Sequence, residues 1–304
     1  MEIWAVEGIA HSILHFLDLA TFDAVLSSLQ DKPELQDYLQ DALLWSQLTK
    51  VHFGGRRDAE ANSDANSSRD RAWDWTSRDR TCAELQAFLQ SMDDLARFEE
   101  AVTVVEGDIQ CIDKIDGKPL DGIAFPTGSG LMNPRIGAAG AVFRRAGRGL
   151  DEFVGDQTFR DGLPNGSTWF PAGTTVVTPA FEAGVNKLIH CVGPSVGTAE
   201  CYELLSQTYE NAMDRVLSEN LQCVAMVSIS TGNLGVPCAK AAQVALRTIQ
   251  KFLANSTWQG KLAVVCNDER VLKAFTDEKA TMMKSFNVTP PLPDADSAAS
   301  WFLY

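Results

Sequence analysis

The sequence lacks the features that mark several specialised classes of protein. No apolar run in its 304 residues approaches the roughly 20 residues that a membrane-spanning helix needs. The segment 1–7 is acidic and has neither a basic flank nor a long apolar core, so we expect no signal peptide. Seven cysteines, an odd number without paired spacing, argue against a disulfide framework and favour reduced thiols in the cytosol or nucleus.

Positive charge is also scarce. The chain has 26 Lys and Arg against 40 Asp and Glu, a net charge of −14, which disfavours nucleic acid as a bulk electrostatic partner. A nucleotide would have to be bound locally, by backbone amides and a helix terminus. Cys191, Cys201, Cys223 and Cys238 lack the spacing of metal ligands, and we predict neither a metal site nor a cofactor.

The chain length fits about two domains, and the residue pattern divides it into three parts. Residues 1–55 carry apolar side chains at helical spacing and predict an all-helical unit. Residues 56–99 predict a mobile polar loop, over 56–71, and a connecting helix. From residue 100 to 304 strand and helix patterns alternate, which indicates a layered α/β domain with an apolar tail that docks on it.

The most informative segment is the glycine-punctuated loop Ser230–Pro237. It follows an apolar strand predicted over 224–229 and precedes a helix predicted over 239–252. A strand, a glycine-rich loop and a helix N-terminus together aim backbone N–H groups at an anion, and the helix dipole adds partial positive charge. The segment 188–194, a buried strand that runs into a Gly-Pro turn, precedes it.

Four ordered stretches resemble the macro domain, the ADP-ribose-binding module. They are Val104–Ile109, Gly137–Gly147, Gly173–Pro179 with Lys187–Pro194, and Ser230–Pro237. The resemblance covers about residues 100–285. It implies a three-layer α/β fold with a mixed, mostly parallel central sheet, and ADP-ribose or an ADP-ribosylated protein as the ligand.

The resemblance also implies a set of ligand-binding residues. They are Asp108, Ile109, Gly137, Ala138, Ala139, Gly140, Ser230, Thr231, Gly232, Asn233, Leu234 and Gly235. Several of them have a structural alternative. Asp108 could cap a turn, Gly137 and Gly140 could permit helix packing, and the second loop, Ser230–Gly235, could be a purely structural turn.

The sequence departs from the family where hydrolase activity resides. Macro domain hydrolases usually carry an asparagine that orients the attacking water. That asparagine is the last residue of an Asn-Ala-Ala-Asn stretch. Here its two asparagine positions are occupied by Phe125 and Gly128 or, if the alignment is shifted, by Thr127 and Gly130. Ala139 stands where many hydrolases carry an aspartate. General acid–base catalysis needs a titratable or amide group near the reacting water, so we predict no catalytic residue and favour a binding module.

Two alternatives to a binding module remain. The first is an active ADP-ribosyl hydrolase that uses Asp108, Asn133 or Asn233 to hold water. The second is a degenerate macro domain that acts as a protein-interaction scaffold. Three features favour this second alternative. They are the loss of the family's glycines, the bulk of Arg135 and Phe125, and leucine instead of an aromatic residue at 234.

The N-terminal part resembles an F-box. Segment 13–19, and segment 44–48 with Phe53, match the two ends of that motif, although Val6–Ile9 replaces its usual Leu-Pro opening. The resemblance implies a helical bundle that presents Ile13, Leu14, Leu17, Leu44 and Trp45 to a Skp-type adaptor of a cullin ubiquitin ligase, as a substrate receptor would. The alternative is a helical cap that packs on the rest of the chain.

Three further interpretations concern single residues. His190, on an apolar strand, is predicted to be a core histidine whose hydrogen bonds are satisfied. Arg144 and Arg145 are predicted to make surface ion pairs. Trp169–Pro171 is predicted to form a hydrophobic wall.

Overall fold

A computed structural model describes residues 7–19, 21–22, 24–25, 36–56, 81–161 and 169–293. The predicted mobile loop, apart from residue 56, and the predicted docking of the tail at 301–304 lie outside these residues. The chain divides into two compact units: Met1–Arg97 with Ala280–Pro290, and Phe98–Lys279 with Pro291–Tyr304. None of the described helices is long and apolar enough to cross a membrane.

The described residues of the first unit form helices and the turns between them, with no strand. Its helices are α1 (Glu7–Phe16), α2 (Gln36–Leu39), α3 (Ala42–Phe53) and most of α4 (Ala83–Ala101). The Asp41 carboxylate begins α3 by accepting the N–H of Leu44 at 3.0 Å. The helix ends at Gly54, whose φ of 81° suits a residue without a side chain.

An aromatic cluster forms the core of this unit. The Trp45 ring lies 5.3 Å from the Phe88 ring of α4 and 6.3 Å from the Phe22 ring, measured between centroids. Leu14, Leu44 and Trp45 are buried, and Ile13 and Leu17 are half-buried. Three of the five residues that the F-box resemblance assigned to an adaptor therefore pack internally, as the helical-cap alternative requires.

The second unit contains a six-stranded sheet that confirms the predicted mixed, mostly parallel architecture. The strands pair in the order β1 (Val102–Glu106), β8 (Lys261–Cys266), β7 (Cys223–Val227), β4 (Gly122–Thr127), β6 (Lys187–Val192), β5 (Thr175–Pro179). Only β5 runs antiparallel to its neighbour. A two-stranded hairpin, β2 (Lys114–Ile115) with β3 (Lys118–Pro119), lies outside this sheet.

Helices separate and cover the strands. They are α5 (Gly137–Ala146), α6 (Arg148–Gly155), α7 (Gln157–Asp161), α8 (Cys201–Ser218), α9 (Cys238–Asn255) and α10 (Glu269–Lys284), with a 3₁₀ turn at Phe181–Ala183. The strands β4, β7 and β8 are buried at nearly every residue, because helices cover both faces of the sheet.

The strand that leads to the second loop is shorter than predicted. It ends at Val227, two residues before the predicted end at Ile229. The Ile229 N–H donates to the Tyr209 hydroxyl of α8, at 2.9 Å, instead of to a neighbouring strand. This bond releases the chain from the sheet early, and α9 then extends over 238–255.

Candidate functional site

The carboxyl ends of β1, β8 and β7 meet at one edge of the sheet. Glu106 lies opposite Cys266, and Val227 lies opposite Val265. A cavity of about 280 Å³ opens at this edge, which is the usual place for ligands in open α/β sheets. The cavity is lined by Gly107, Asp108, Ile109, Gly137, Ala138, Ala141, Arg144, Val227, Val265 and Asn267.

Asp108 lies in the turn after β1, where it both caps the turn and lines the cavity. One carboxylate oxygen accepts the Gln110 N–H at 2.9 Å, and the Asp108 carbonyl accepts the N–H of Cys111. The turn-capping alternative is therefore realised. The residue also lines the cavity beside Ile109, so the second carboxylate oxygen can serve a ligand.

The first loop, residues 128–136 between β4 and α5, leads into the start of α5 at the cavity. Gly137 begins the helix with a φ of 63°, and the preceding Ile136 makes no side-chain capping hydrogen bond. The first N–H groups of α5 therefore have no side-chain partner from the capping position. Gly137 and Ala138 line the cavity, while Ala139 and Gly140 are buried outside its lining.

Gly140 has a packing function. A Cβ atom there would lie 2.6 Å from the Arg135 carbonyl carbon, so only glycine lets the helix pack against its own loop. The packing alternative therefore holds for Gly140, whereas a Cβ at Gly137 would meet nothing within 4 Å. At Gly137 the positive φ is the constraint.

The residues at the family's catalytic positions have different surroundings. Phe125 is fully buried, with its ring 4.6 Å from the His190 ring and 6.4 Å from the Phe143 ring. Phe125 therefore faces the core and lies outside the cavity lining, so its bulk does not support the scaffold alternative. Gly128 is exposed in open space, and Ala139 is buried, so neither supplies a group that could hold water.

Asn133, an alternative water anchor, is occupied within the first loop. Its side-chain oxygen accepts the Arg135 N–H at 2.8 Å, and its amide donates to Asp151 at 3.3 Å. It does not line the cavity.

The second loop lies next to the cavity-lining Val227 but is itself outside the lining. It comprises Ser230, Thr231, Gly232, Asn233, Leu234 and Gly235. Internal and neighbouring hydrogen bonds shape it: Gly235 N–H to Gly232 O at 2.9 Å, Val236 N–H to Ser230 O at 3.0 Å, and Val196 N–H to Leu234 O at 2.9 Å. Gly232 and Asn233 are exposed, so their backbone faces solvent.

Two buried hydroxyls lie at the ends of neighbouring strands. Thr127 closes β4 and Ser230 opens the second loop, and neither hydroxyl has a hydrogen-bond partner among the described residues. Buried polar groups are nearly always satisfied, so each needs a partner such as water or a ligand. The sequence pattern does not predict an unpaired hydroxyl at Thr127. It places this residue only at one of the family's asparagine positions.

The sequence interpretation also missed Asn267. Asn267 lines the cavity directly after β8, a position that strand prediction alone could have flagged. Of the two arginines predicted to make surface ion pairs, Arg145 pairs with a carboxylate, whereas the described contacts of Arg144 are to neutral oxygens. Arg145 makes an ion pair with the exposed Asp113 at 3.0 Å, but its own side chain is buried. Its side chain is 7% exposed and donates to the carbonyls of Ala183, Ile109 and Ile112 as well as to Asp113. Arg145 thus holds the turn after β1 in place.

His190 belongs to the core. Its Nε2 lies 3.1 Å from the Thr178 hydroxyl, but Nδ1 has no partner among the described residues, so the ring is only half satisfied. Complete burial lowers the pKa of the imidazole to about 3, because a charged ring cannot be solvated there. The ring is neutral at physiological pH.

The comparisons with known proteins agree with this architecture. The family model described as Macro domain matches residues 128–245. The chain is 30% identical over 174 residues to an O-acetyl-ADP-ribose deacetylase of Salmonella typhimurium, covering 57% of this chain and 90% of that protein. The structure of the Oceanobacillus iheyensis macrodomain with ADP has 29% identity and a TM-score of 0.53, covering 59% of this chain and 90% of that chain.

A Trypanosoma brucei macrodomain, in complex with ADP, matches more of the chain. It has 18% identity and a TM-score of 0.50, and it covers 91% of this chain and 96% of that chain. Residues 100–304 alone are too few to make up 91% of this chain, so the similarity of fold extends into the N-terminal region. The identity and coverage of the Salmonella relative, together with the strand order, show that this chain belongs to the macro domain family.

Proposed function

We propose that this protein binds ADP-ribose, free or attached to a protein, in the cavity at the edge of the sheet. The observation that carries the proposal is the meeting of the Asp108 turn with the start of α5 around that cavity. In this proposal the adenine lies near Asp108, and the diphosphate lies between the Gly137–Gly140 turn and the Ser230–Gly235 loop. Backbone amides and the dipole of α5 attract the diphosphate.

The relatives support the same ligand. The Oceanobacillus iheyensis macrodomain was solved with ADP, and relatives at about 30% identity are named O-acetyl-ADP-ribose deacetylase. The catalytic positions of this chain carry Gly128 and Ala139, which supports binding without efficient hydrolysis. Hydrolysis by non-standard residues is the alternative. Asp108 and Asn233 are its remaining candidates, since Asn133 is occupied in its loop.

Calorimetric titration with ADP-ribose tests the proposal. Asp108→Ala is expected to weaken binding by about 1–3 kcal/mol, the usual cost of deleting one partner of a charged hydrogen bond that the bound ligand shields from water. Asp108→Asn is the sharper variant. Its amide oxygen can still accept the Gln110 N–H, whereas its amide nitrogen cannot accept the adenine amino group. Weaker binding by Asp108→Asn with an unchanged melting temperature would assign the loss to the ligand contact.

The second loop is tested by Gly232→Glu. A Cβ at Gly232 meets nothing within 4 Å, so the fold should tolerate the change while a negative charge enters the proposed diphosphate site. Binding should be lost. Gly155→Glu is the matched control, because Gly155 is also exposed with open space around its Cβ and does not line the cavity. No heat and no thermal shift for the unaltered protein at millimolar ADP-ribose would leave the scaffold alternative.

We propose adaptor binding by the N-terminal unit as a second candidate function, on one observation. Phe16, Leu43 and Val51 are 90%, 70% and 57% exposed, which leaves these apolar side chains accessible to a protein partner. A Skp-type adaptor would then contact these residues instead of the buried Leu14 and Trp45. Co-purification with the adaptor should be lost in Phe16→Asp/Leu43→Asp. Absence of any complex would leave the helical-cap alternative, whereas a complex that survives this change would show that other residues contact the adaptor.

We further propose a cytosolic or nuclear location. All seven cysteines are free, and burial raises the pKa of Cys191 to about 12, which keeps that thiol protonated and unreactive. Fluorescence microscopy of the tagged full chain tests this location. Fluorescence in the secretory pathway would contradict it.

A further inference from the structure

Arg144 is the one positively charged residue in the lining of the cavity. Gly137, Ala138, Ala141 and Arg144 line it together, at the spacing of a single helix face. Side chains on a helix point back toward its N-terminus, so the guanidinium of Arg144 extends along α5 toward the loop before it.

Two hydrogen bonds hold the guanidinium between the two segments that flank the cavity. The Nε–H donates to Gln110 Oε1 at 3.2 Å, in the turn after β1. An Nη1–H donates to the Arg135 carbonyl at 3.4 Å, in the loop before α5. A guanidinium has five N–H donors in a planar fork, so donors remain for a further acceptor.

The charge of Arg144 is not neutralised by a described carboxylate, since none lies within 4.0 Å. The two arginines nearest in sequence differ in this respect. Arg145 pairs with Asp113 at 3.0 Å, and Arg148 pairs with Glu152 at 2.7 Å. Both acceptors of Arg144 are neutral oxygens.

We propose that Arg144 contacts the diphosphate of the bound nucleotide directly and supplies the positive charge of the site. The inference rests on the proposed binding of ADP-ribose and adds a side-chain contact to a site otherwise built from backbone amides. A planar guanidinium suits phosphate oxygens because it donates several charge-assisted hydrogen bonds at once. In a chain of net charge −14 this one cation also offsets the general repulsion of an anionic ligand.

The test is calorimetric titration of the full chain with ADP-ribose at low and high salt. Arg144→Gln is expected to weaken binding by about 10-fold or more at low salt, the range for a charged hydrogen bond. It should also flatten the salt dependence, because salt screens only the charged contact. Arg144→Lys, which keeps the charge, should retain the salt dependence. Arg148→Gln, which removes an exposed ion pair outside the cavity lining, should bind like the unaltered protein.

The outcomes separate this inference from the proposed function. Binding by the unaltered protein, with equal affinity and equal salt dependence in Arg144→Gln, would overturn the inference and leave the function standing. Equal weakening in the Gln and Lys variants with an unchanged salt dependence would also overturn it, because Arg144 would then act as a structural link between Gln110 and Arg135. No binding by the unaltered protein would overturn both.

Discussion

The two loops that flank the proposed diphosphate site reach their shapes in different ways. The first loop is shaped by close packing: Gly140 of α5 rests on the Arg135 backbone, and a ring cluster of Phe125, Phe143 and His190 lies buried nearby. The second loop is shaped by hydrogen bonds within it and to its neighbours, and the bond from Ile229 to Tyr209 supports the residue just before it. Its exposed Gly232 has open space around it.

This difference shows where sequence change is tolerated. Backbone packing leaves no freedom at Gly140. At Gly193 the constraint comes from side chains, because a Cβ there would overlap Ser230 Oγ and Ile229 Cγ2. The chain departs from the family pattern at both kinds of position. Gly128 is exposed, whereas Phe125 and Ala139 are buried.

The largest effect is expected from restoring the family's catalytic groups in the first loop. Gly128→Asn/Ala139→Asp should raise the rate of hydrolysis of mono-ADP-ribosylated carboxylates by about 10²-fold or more, since positioned acid–base groups contribute 10²–10⁴-fold. The unaltered protein should hydrolyse them slowly or undetectably. Gly128→Ala is the control. Fast turnover by the unaltered protein, abolished by changing a cavity residue, would show that other residues perform the reaction.

The next effect concerns packing of the first loop. Gly140→Ala places a Cβ 2.6 Å from the Arg135 carbonyl carbon. Alanine gains about 1 kcal/mol in helix propensity over glycine, but overlap with backbone cannot be relieved by moving a side chain. We expect a net loss of about 3 kcal/mol in the free energy of unfolding, measured in urea. Gly128→Ala, in open space, should change it by less than about 0.5 kcal/mol.

A smaller effect is expected from the support of the second loop. Tyr209→Phe removes the acceptor of the buried Ile229 N–H and should cost about 2 kcal/mol of stability. Tyr202→Phe is a matched control on the same helix, because its buried hydroxyl has no partner among the described residues. Equal losses in the two variants would mean that the Tyr209 bond does not stabilise the loop.

The smallest effect at neutral pH is expected from His190. Its contribution to stability changes only when the solution is acidified. Its pKa is about 3 in the folded protein and about 6.5 in an unfolded chain, so the unfolded chain binds the proton first. The contribution of His190 to the free energy of unfolding is fully present above pH 6.5. It is lost between pH 6.5 and 3, by at most about 1.4 kcal/mol per pH unit. His190→Gln should flatten that slope in urea titrations. An identical slope would show that His190 does not titrate on unfolding.

Much of the second unit could be predicted from residues alone. The alternating strand and helix patterns from residue 100 predicted a layered α/β domain, and the family resemblance predicted its mixed, mostly parallel sheet. The unit boundaries and the contacts of the N-terminal helices could not be predicted in this way. The apolar residues Leu14 and Leu44 suit a docking surface and an internal core equally well, and their burial decided in favour of the core.

The sequence by itself determined the family architecture, the glycine-rich loops and the absence of the usual catalytic side chains, because these depend on residue type and local spacing. Only the tertiary structure decided what neighbouring side chains do. Arg144 and Arg145 are adjacent, yet one lines the cavity and the other is buried beneath backbone carbonyls. One step along a helix turns a side chain by about 100°. What it then meets depends on elements that are distant in the chain.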